Sequence, residues 1–177
     1  MKHTTHRSVR CRTRPTAGAG WTHIPFAIEG VRFVAQVSAS SSATIAATPD
    51  RVLAALADYE TVRPRILPQQ YRDYEVVEGG QGDGTKATWT LQATEKRARN
   101  VAATVSVAGS TITERDANSS MVTTWSVAPE GAGTAVTTTT EWKGAGGIGG
   151  FFEKTFAPLG LKKIQATTLE NLRRELI

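Results

Sequence analysis

Between Tyr71 and Trp142 the chain holds six segments of strand character, separated by breaks too short for anything but antiparallel neighbours. Residues 71–78, 85–94, 96–107, 111–116, 121–128 and 133–142 are rich in Thr, Val and Trp, which suit a pleated, half-buried surface. Turn chemistry marks most of the breaks: Gly79-Gly80-Gln81-Gly82-Asp83-Gly84, Gly109-Ser110, Asn118-Ser119-Ser120 and Pro129-Glu130-Gly131-Ala132-Gly133. Parallel strands need a crossover of about a dozen residues or more, so these segments predict a six-strand meander. Period-two alternation then assigns faces. Ala87, Trp89, Leu91 and Ala93 share one face, as do Val101, Ala103, Val105 and Val107. Met121, Thr123, Trp125 and Val127 form a third set, and Val136, Thr138, Thr140 and Trp142 a fourth.

Helical signals flank the meander. A first strand is predicted over 34–46, followed by a helix start in which Thr48 caps, Pro49 takes the first position and Asp50 complements the dipole. Val52, Leu56 and Tyr59 give that helix an apolar face. Pro64 and Pro68 leave room only for a short second turn. After a glycine-rich link, residues 150–177 read as one long helix, kinked near Pro158 and Gly160. Phe152, Phe156 and Leu159 lead its apolar side, and Leu161, Ile164, Thr168, Leu172 and Leu176 continue it. The fold class is α+β: about seven antiparallel strands curved around a long C-terminal helix, with two short helices after strand one.

Charge and reactive residues divide along the chain. Residues 1–35 hold six basic residues against Glu29, whereas 15 basic and 15 acidic residues follow from Gln36 onward. The surplus behind the net charge of +5 therefore sits in a basic segment, 1–30, that reads as a flexible tail ahead of a domain at 31–177. A neutral domain argues against a nucleic-acid groove. His3, His6, His23 and Cys11 are the only histidines and cysteine, and all precede residue 36. That removes imidazole and thiol chemistry from the domain and predicts no metal or cofactor. A single cysteine forms no internal disulfide, consistent with a cytoplasmic location. No apolar run reaches the roughly 18 residues of a membrane helix. A monomer or weak homodimer is expected.

Three segments carry a resemblance. They are Ala47-Thr-Pro-Asp-Arg-Val-Leu-Ala-Ala-Leu-Ala-Asp-Tyr59, Ala117-Asn-Ser-Ser-Met-Val-Thr-Thr-Trp125 and Gly144-Ala-Gly-Gly-Ile-Gly-Gly-Phe-Phe-Glu-Lys-Thr-Phe156. Over about residues 36–177 the chain resembles the START/SRPBCC superfamily, in its bacterial polyketide cyclase/dehydrase and lipid transport branch. The resemblance implies a helix-grip fold, like that of the birch pollen allergen, with a ligand cavity between sheet and C-terminal helix. Many relatives place a Trp-Pro pair shortly after the first helix; here the region reads Val62-Arg-Pro-Arg-Ile-Leu-Pro68. The implied function is binding of a lipid, polyketide or similar apolar metabolite, as carrier or sensor. The alternative is an aromatic polyketide cyclase/dehydratase acting on a chain held in the same cavity. A third reading makes the domain a scaffold whose basic tail binds acidic partners.

The expected cavity lining is drawn from the inward faces: Trp89, Leu91, Val101, Ala103, Val105, Met121, Thr123, Trp125 and Trp142 from the sheet, with Phe152, Phe156 and Ile164 from the helix. The tryptophans serve equally as core aromatics, because in such a fold the core is the cavity wall. Gly144-Ala-Gly-Gly-Ile-Gly149 matches GxGxxG, yet no strand comes after the helix to present a ribose-binding acid, so the run reads as a link. Arg97 and Arg99 read as a solvated strand end, and Asp58, Glu60, Glu114 and Asp116 as helix or strand ends in water. No catalytic residue is assigned.

Overall fold

The computed structural model describes residues 36–94, 97–144 and 147–177, the side chains of 93, 94, 97 and 147–157 excepted. The basic tail, the face of Ala93, the side chain of Arg97 and the rings of Phe152 and Phe156 lie outside the described residues.

Threonine and valine alternation produces the strands. β1 (Gln36–Ile45) is followed by α1 (Pro49–Ala57) and α2 (Val62–Ile66). Then come β2 (Tyr71–Glu78), β3 (Lys86–Thr94), β4 (Arg97–Ala108), β5 (Thr111–Asp116), β6 (Val122–Glu130) and β7 (Gly133–Lys143). The chain closes with α3 (Gly147–Leu176). The six meander strands lie within one or two residues of their predicted bounds. They form one antiparallel sheet in the order β1-β7-β6-β5-β4-β3-β2, so the first strand returns to pair with the last. This is the helix-grip arrangement: a curved sheet with the long helix across its inner face.

The inner face obeys the predicted alternation. Ala87, Trp89 and Leu91 are buried, as are Val101, Ala103 and Val105, and Met121, Trp125 and Val127. Val136, Thr138, Thr140 and Trp142 are buried together on β7. Alternation fails in β2. β2 bulges between Arg72 and Glu75, where Asp73 takes a φ of 52°. A bulge inserts one residue and reverses the parity of the strand beyond it. Tyr71 and Tyr74, three positions apart, consequently both pack on Trp89, with ring centroids 5.9 and 6.2 Å from it.

α3 is one helix running through Pro158 and beginning inside the glycine run. Leu161, Ile164, Gln165, Thr168, Leu169, Leu172 and Leu176 form its buried face. Leu159 corrects the sequence reading: it is 64% exposed. Three, four and seven residues on lie Lys162, Lys163 and Ala166, all exposed, so helical periodicity places Leu159 on the solvent side. The helix is tied to β1 by Gln165 Nε2 donating to the Ala39 carbonyl (3.2 Å). It is tied to α2 by Asn171 Nδ2 donating to the Ile66 carbonyl (3.0 Å) and by an Arg65–Glu175 ion pair (2.7 Å). No helix among the described residues is long and apolar enough to cross a membrane.

Candidate functional site

The site grows from the connection between α1 and α2. Thr48 is extended and Pro49 opens α1, as the sequence predicts, although the Thr48 side chain makes no capping bond. α1 ends at Asp58, whose carboxylate accepts from Glu60 N (3.1 Å), Thr61 N (2.8 Å) and the Thr61 hydroxyl. That cluster turns the chain directly into α2. The glycine loop after β2 holds the corner from outside: Tyr59 N donates to the Gly80 carbonyl (2.9 Å) and Gly82 N to the Ala57 carbonyl (2.8 Å). Gly80 has a φ of +120°, a backbone conformation that residues with a side chain rarely adopt, so glycine suits this position. Tyr59 and Arg63, four residues apart, are thereby aimed together into the interior.

Arg63 is 2% exposed. Its Nη2 donates to Glu114 Oε1 at 2.6 Å and to the Tyr59 hydroxyl at 2.9 Å, and that hydroxyl donates to Glu114 Oε1 at 2.7 Å. Trp125 Nε1 donates to the same Oε1 at 3.2 Å. The guanidinium carbon stands 4.6 Å from the ring centroids of both Tyr59 and Trp125, so cation–π attraction supplements the ion pair. Three donors converge on Oε1, and none among the described residues bonds Oε2. Burial opposes the charge of Arg63, yet Tyr59 and Glu114 beside it outweigh burial and hold its pKa above that of a free guanidinium. Burial pushes Tyr59 well above the usual tyrosine value, and Tyr71 and Tyr74 are raised by the same cause.

Leu67, Tyr71, Tyr74 and Trp89 join these four residues around a narrow cleft with a free volume of about 10 Å³. That is room for roughly one water molecule. Two buried donors here have no partner among the described residues: Arg63 Nε and Trp89 Nε1. Among the described residues no group of three or more His, Cys, Asp or Glu side chains is placed to hold a metal ion.

Of the lining expected from sequence, Trp89 and Trp125 meet at this cleft. Leu91, Val101, Ala103, Val105, Met121, Trp142 and Ile164 are buried in the surrounding core, and Thr123 is half-buried, bonded to the Thr140 hydroxyl (2.9 Å). Arg99 is exposed, in keeping with a solvated strand end. Glu114 and Asp116 are corrections, because both are buried rather than solvated. They alternate with Ile112 on the inward face of β5, a parity visible in the sequence. Asp116 has a structural role: its carboxylate accepts from Ala102 N, Asn118 N and the Ser119 hydroxyl, closing the β5–β6 turn. Tyr59, Arg63, Tyr71 and Tyr74 are site residues that the sequence reading does not reach.

A single helix-grip domain with a buried, charged and aromatic interior defines a class of proteins. The sequence profile described as polyketide cyclase / dehydrase and lipid transport matches residues 36–176, and the chain belongs to that family. Among solved structures, the KanY protein is 60% identical, with a TM-score of 0.75 over 80% of this chain and 98% of that one. The Zhui aromatase/cyclase of a Streptomyces species has a TM-score of 0.66 at 15% identity, over 80% of this chain and 94% of that one. The protein Ara h 8.0201 has a TM-score of 0.56 at 12% identity, covering 80% and 98%. The last two are alike in fold alone. A comparison with the curated proteins returned no match.

Proposed function

We propose that the protein binds an apolar small molecule that presents an oxygen acceptor to the cleft between α2, β2 and β3, as a carrier or sensor. The observation that carries this reading is the pair of buried donors without a partner among the described residues, Arg63 Nε and Trp89 Nε1, on residues that line the cleft. Leaving such a donor unpaired costs about 1–3 kcal/mol. Replacing a buried ion pair with well-packed apolar residues is often neutral or stabilising. Stability therefore does not account for Arg63 and Glu114, whereas recognition does. Arg63 is already neutralised by Glu114, so a neutral carbonyl or quinone suits the orphan donors better than a free carboxylate. Aromatic walls from Tyr71, Tyr74, Trp89 and Trp125 suit a flat ring system. The free volume of this cleft admits about one water, so a larger ligand would have to displace the Leu67 and Tyr71–Tyr74 side to enter it.

A second reading, a cyclase of the kind the Zhui protein is named for, draws on Glu114. Its Oε2 is free of bonds among the described residues, beside a cation and a phenol. A carboxylate so placed could take a proton from a ketone's α-carbon while Arg63 and Tyr59 stabilise the enolate oxygen. Tryptophan fluorescence tests the first reading. Anthraquinone should quench it saturably with Kd in the micromolar range or below, about 8 kcal/mol. Trp89→Phe should weaken that binding several-fold. Absence of saturable quenching by anthraquinone and by smaller aromatic ketones would rule the reading out.

A further inference from the structure

β2 is the last strand of the sheet, so β3 is its only strand neighbour. The ladder between them is interrupted where β2 borders the cleft. Arg72 pairs with Thr90 and Glu75 with Thr88, while Asp73 and Tyr74 between them have no ladder partner. Asp73 marks the same point: among the described residues it is the one non-glycine residue with a positive φ, 52°. A short polar side chain tolerates that region, so the strand bends away from its neighbour here. Residues 71–74 therefore form a strap, fastened to β3 at its two ends. One end is held by the Arg72–Thr90 pair and by Gln92 N donating to the Gln70 carbonyl (2.8 Å), the other by the Glu75–Thr88 pair.

Between those ends side chains hold the strap. The Tyr74 hydroxyl donates to the Tyr59 carbonyl at 2.7 Å, and the Tyr74 ring stacks on Trp89 at 22°. Among the described residues this is the one hydrogen bond between residues 71–74 and the corner at 58–63, and Tyr59 and Tyr74 both line the cleft. The corner itself is fixed far more firmly. Tyr59 N is bonded to the Gly80 carbonyl, Gly82 N to the Ala57 carbonyl, and Arg63 and the Tyr59 hydroxyl to Glu114. Moving the corner breaks all of these, whereas lifting the strap breaks one hydrogen bond and one ring stack. We propose that Tyr74 is the latch of the cleft: when its bond to the Tyr59 carbonyl breaks, residues 71–74 swing out and open the way to Arg63 and Trp89. This rests on the binding reading above and adds to it the contact that controls entry.

Tyr74→Phe keeps the ring on Trp89 and removes the bond, so it releases the latch without emptying the core. Loss of one hydrogen bond shifts an opening equilibrium up to about tenfold. Hydrogen exchange of the full chain without ligand should therefore quicken roughly tenfold at the amides of residues 71–75 in Tyr74→Phe. The Tyr59 amide, bonded to Gly80, and those of β5 should exchange as in wild type. Stopped-flow quenching by anthraquinone should show an association rate raised several-fold by the same substitution. Exchange that quickens equally at Tyr59 and β5 would assign Tyr74 to general stability and refute the latch. Unchanged exchange at 71–75, or faster exchange with an unchanged association rate, would place the entrance elsewhere while the cleft stands. If anthraquinone binds neither protein, the cleft reading falls and the latch falls with it.

Discussion

Arg63 and Glu114 place opposite charges 2.6 Å apart in a region that most folds of this size fill with hydrocarbon. Removing one partner strands the other in low dielectric. Arg63→Met should therefore cost about 3–5 kcal/mol in urea denaturation, while the double variant Arg63→Met with Glu114→Leu should recover most of that loss. Equal destabilisation by single and double variants would mean that the aromatic packing, and not the charge pair, is what Arg63 supports. The phenols around it give the site a pH signature. Burial raises the folded-state pKa of Tyr59, Tyr71 and Tyr74, so the native protein keeps protons that the unfolded chain releases near pH 10. Their stabilising effect is fully present below that value and is lost as pH rises above it. Tyr59 alone contributes a slope of about 1.4 kcal/mol per pH unit. Urea midpoints measured from about pH 8 to 11 should hold level and then fall. A flat profile through pH 11 would contradict the burial of these hydroxyls. In the sequence Arg63 looks like an ordinary charged residue beside Pro64, since arginine is almost never fully buried unless paired. Its partner Glu114 was findable, because it shares the parity of Ile112.

Elements were legible where a simple period governs them. Strands β2 to β7 and the C-terminal half of α3 stand within a residue or two of the sequence reading, because alternation and the three-to-four spacing of Leu161, Ile164, Leu172 and Leu176 reflect burial directly. The bulge in β2 escaped. A period of two sets Tyr71 and Tyr74 on opposite faces, and only the left-handed Asp73 brings both against Trp89. Aspartate tolerates that conformation, so nothing in the sequence marked it. Asp73→Gly should leave stability unchanged or raised by up to about 1 kcal/mol, and Asp73→Val should lower it by about 1–2 kcal/mol. The opposite order would mean that the bulge is not held. The two faces of α3 give a second contrast. Leu172→Ala should cost about 2–5 kcal/mol, and Leu159→Ala within about 0.5 kcal/mol of nothing, read from thermal or chemical unfolding.

At the scale of the molecule, strand order, sheet and covering helix agree with the family, and the sequence held enough to reach them. The interior was less legible. Trp89 and Trp125 line a narrow cleft of about 10 Å³, whose polar groups Tyr59 and Arg63 come from the turn after α1 and from α2, not from the strand faces from which the lining is drawn. Those helices are short, and their corner is set by Asp58 and by Gly80 of a distant loop, contacts that no local periodicity encodes. The most direct measurement is the indole N–H resonance of Trp89, tracked by two-dimensional NMR as anthraquinone is added. That resonance should shift saturably as the orphan N–H gains an acceptor, with Trp125, already bonded to Glu114, moving less. A Trp89 signal that stays in place while ligand demonstrably binds would contradict the claim that this cleft is the site.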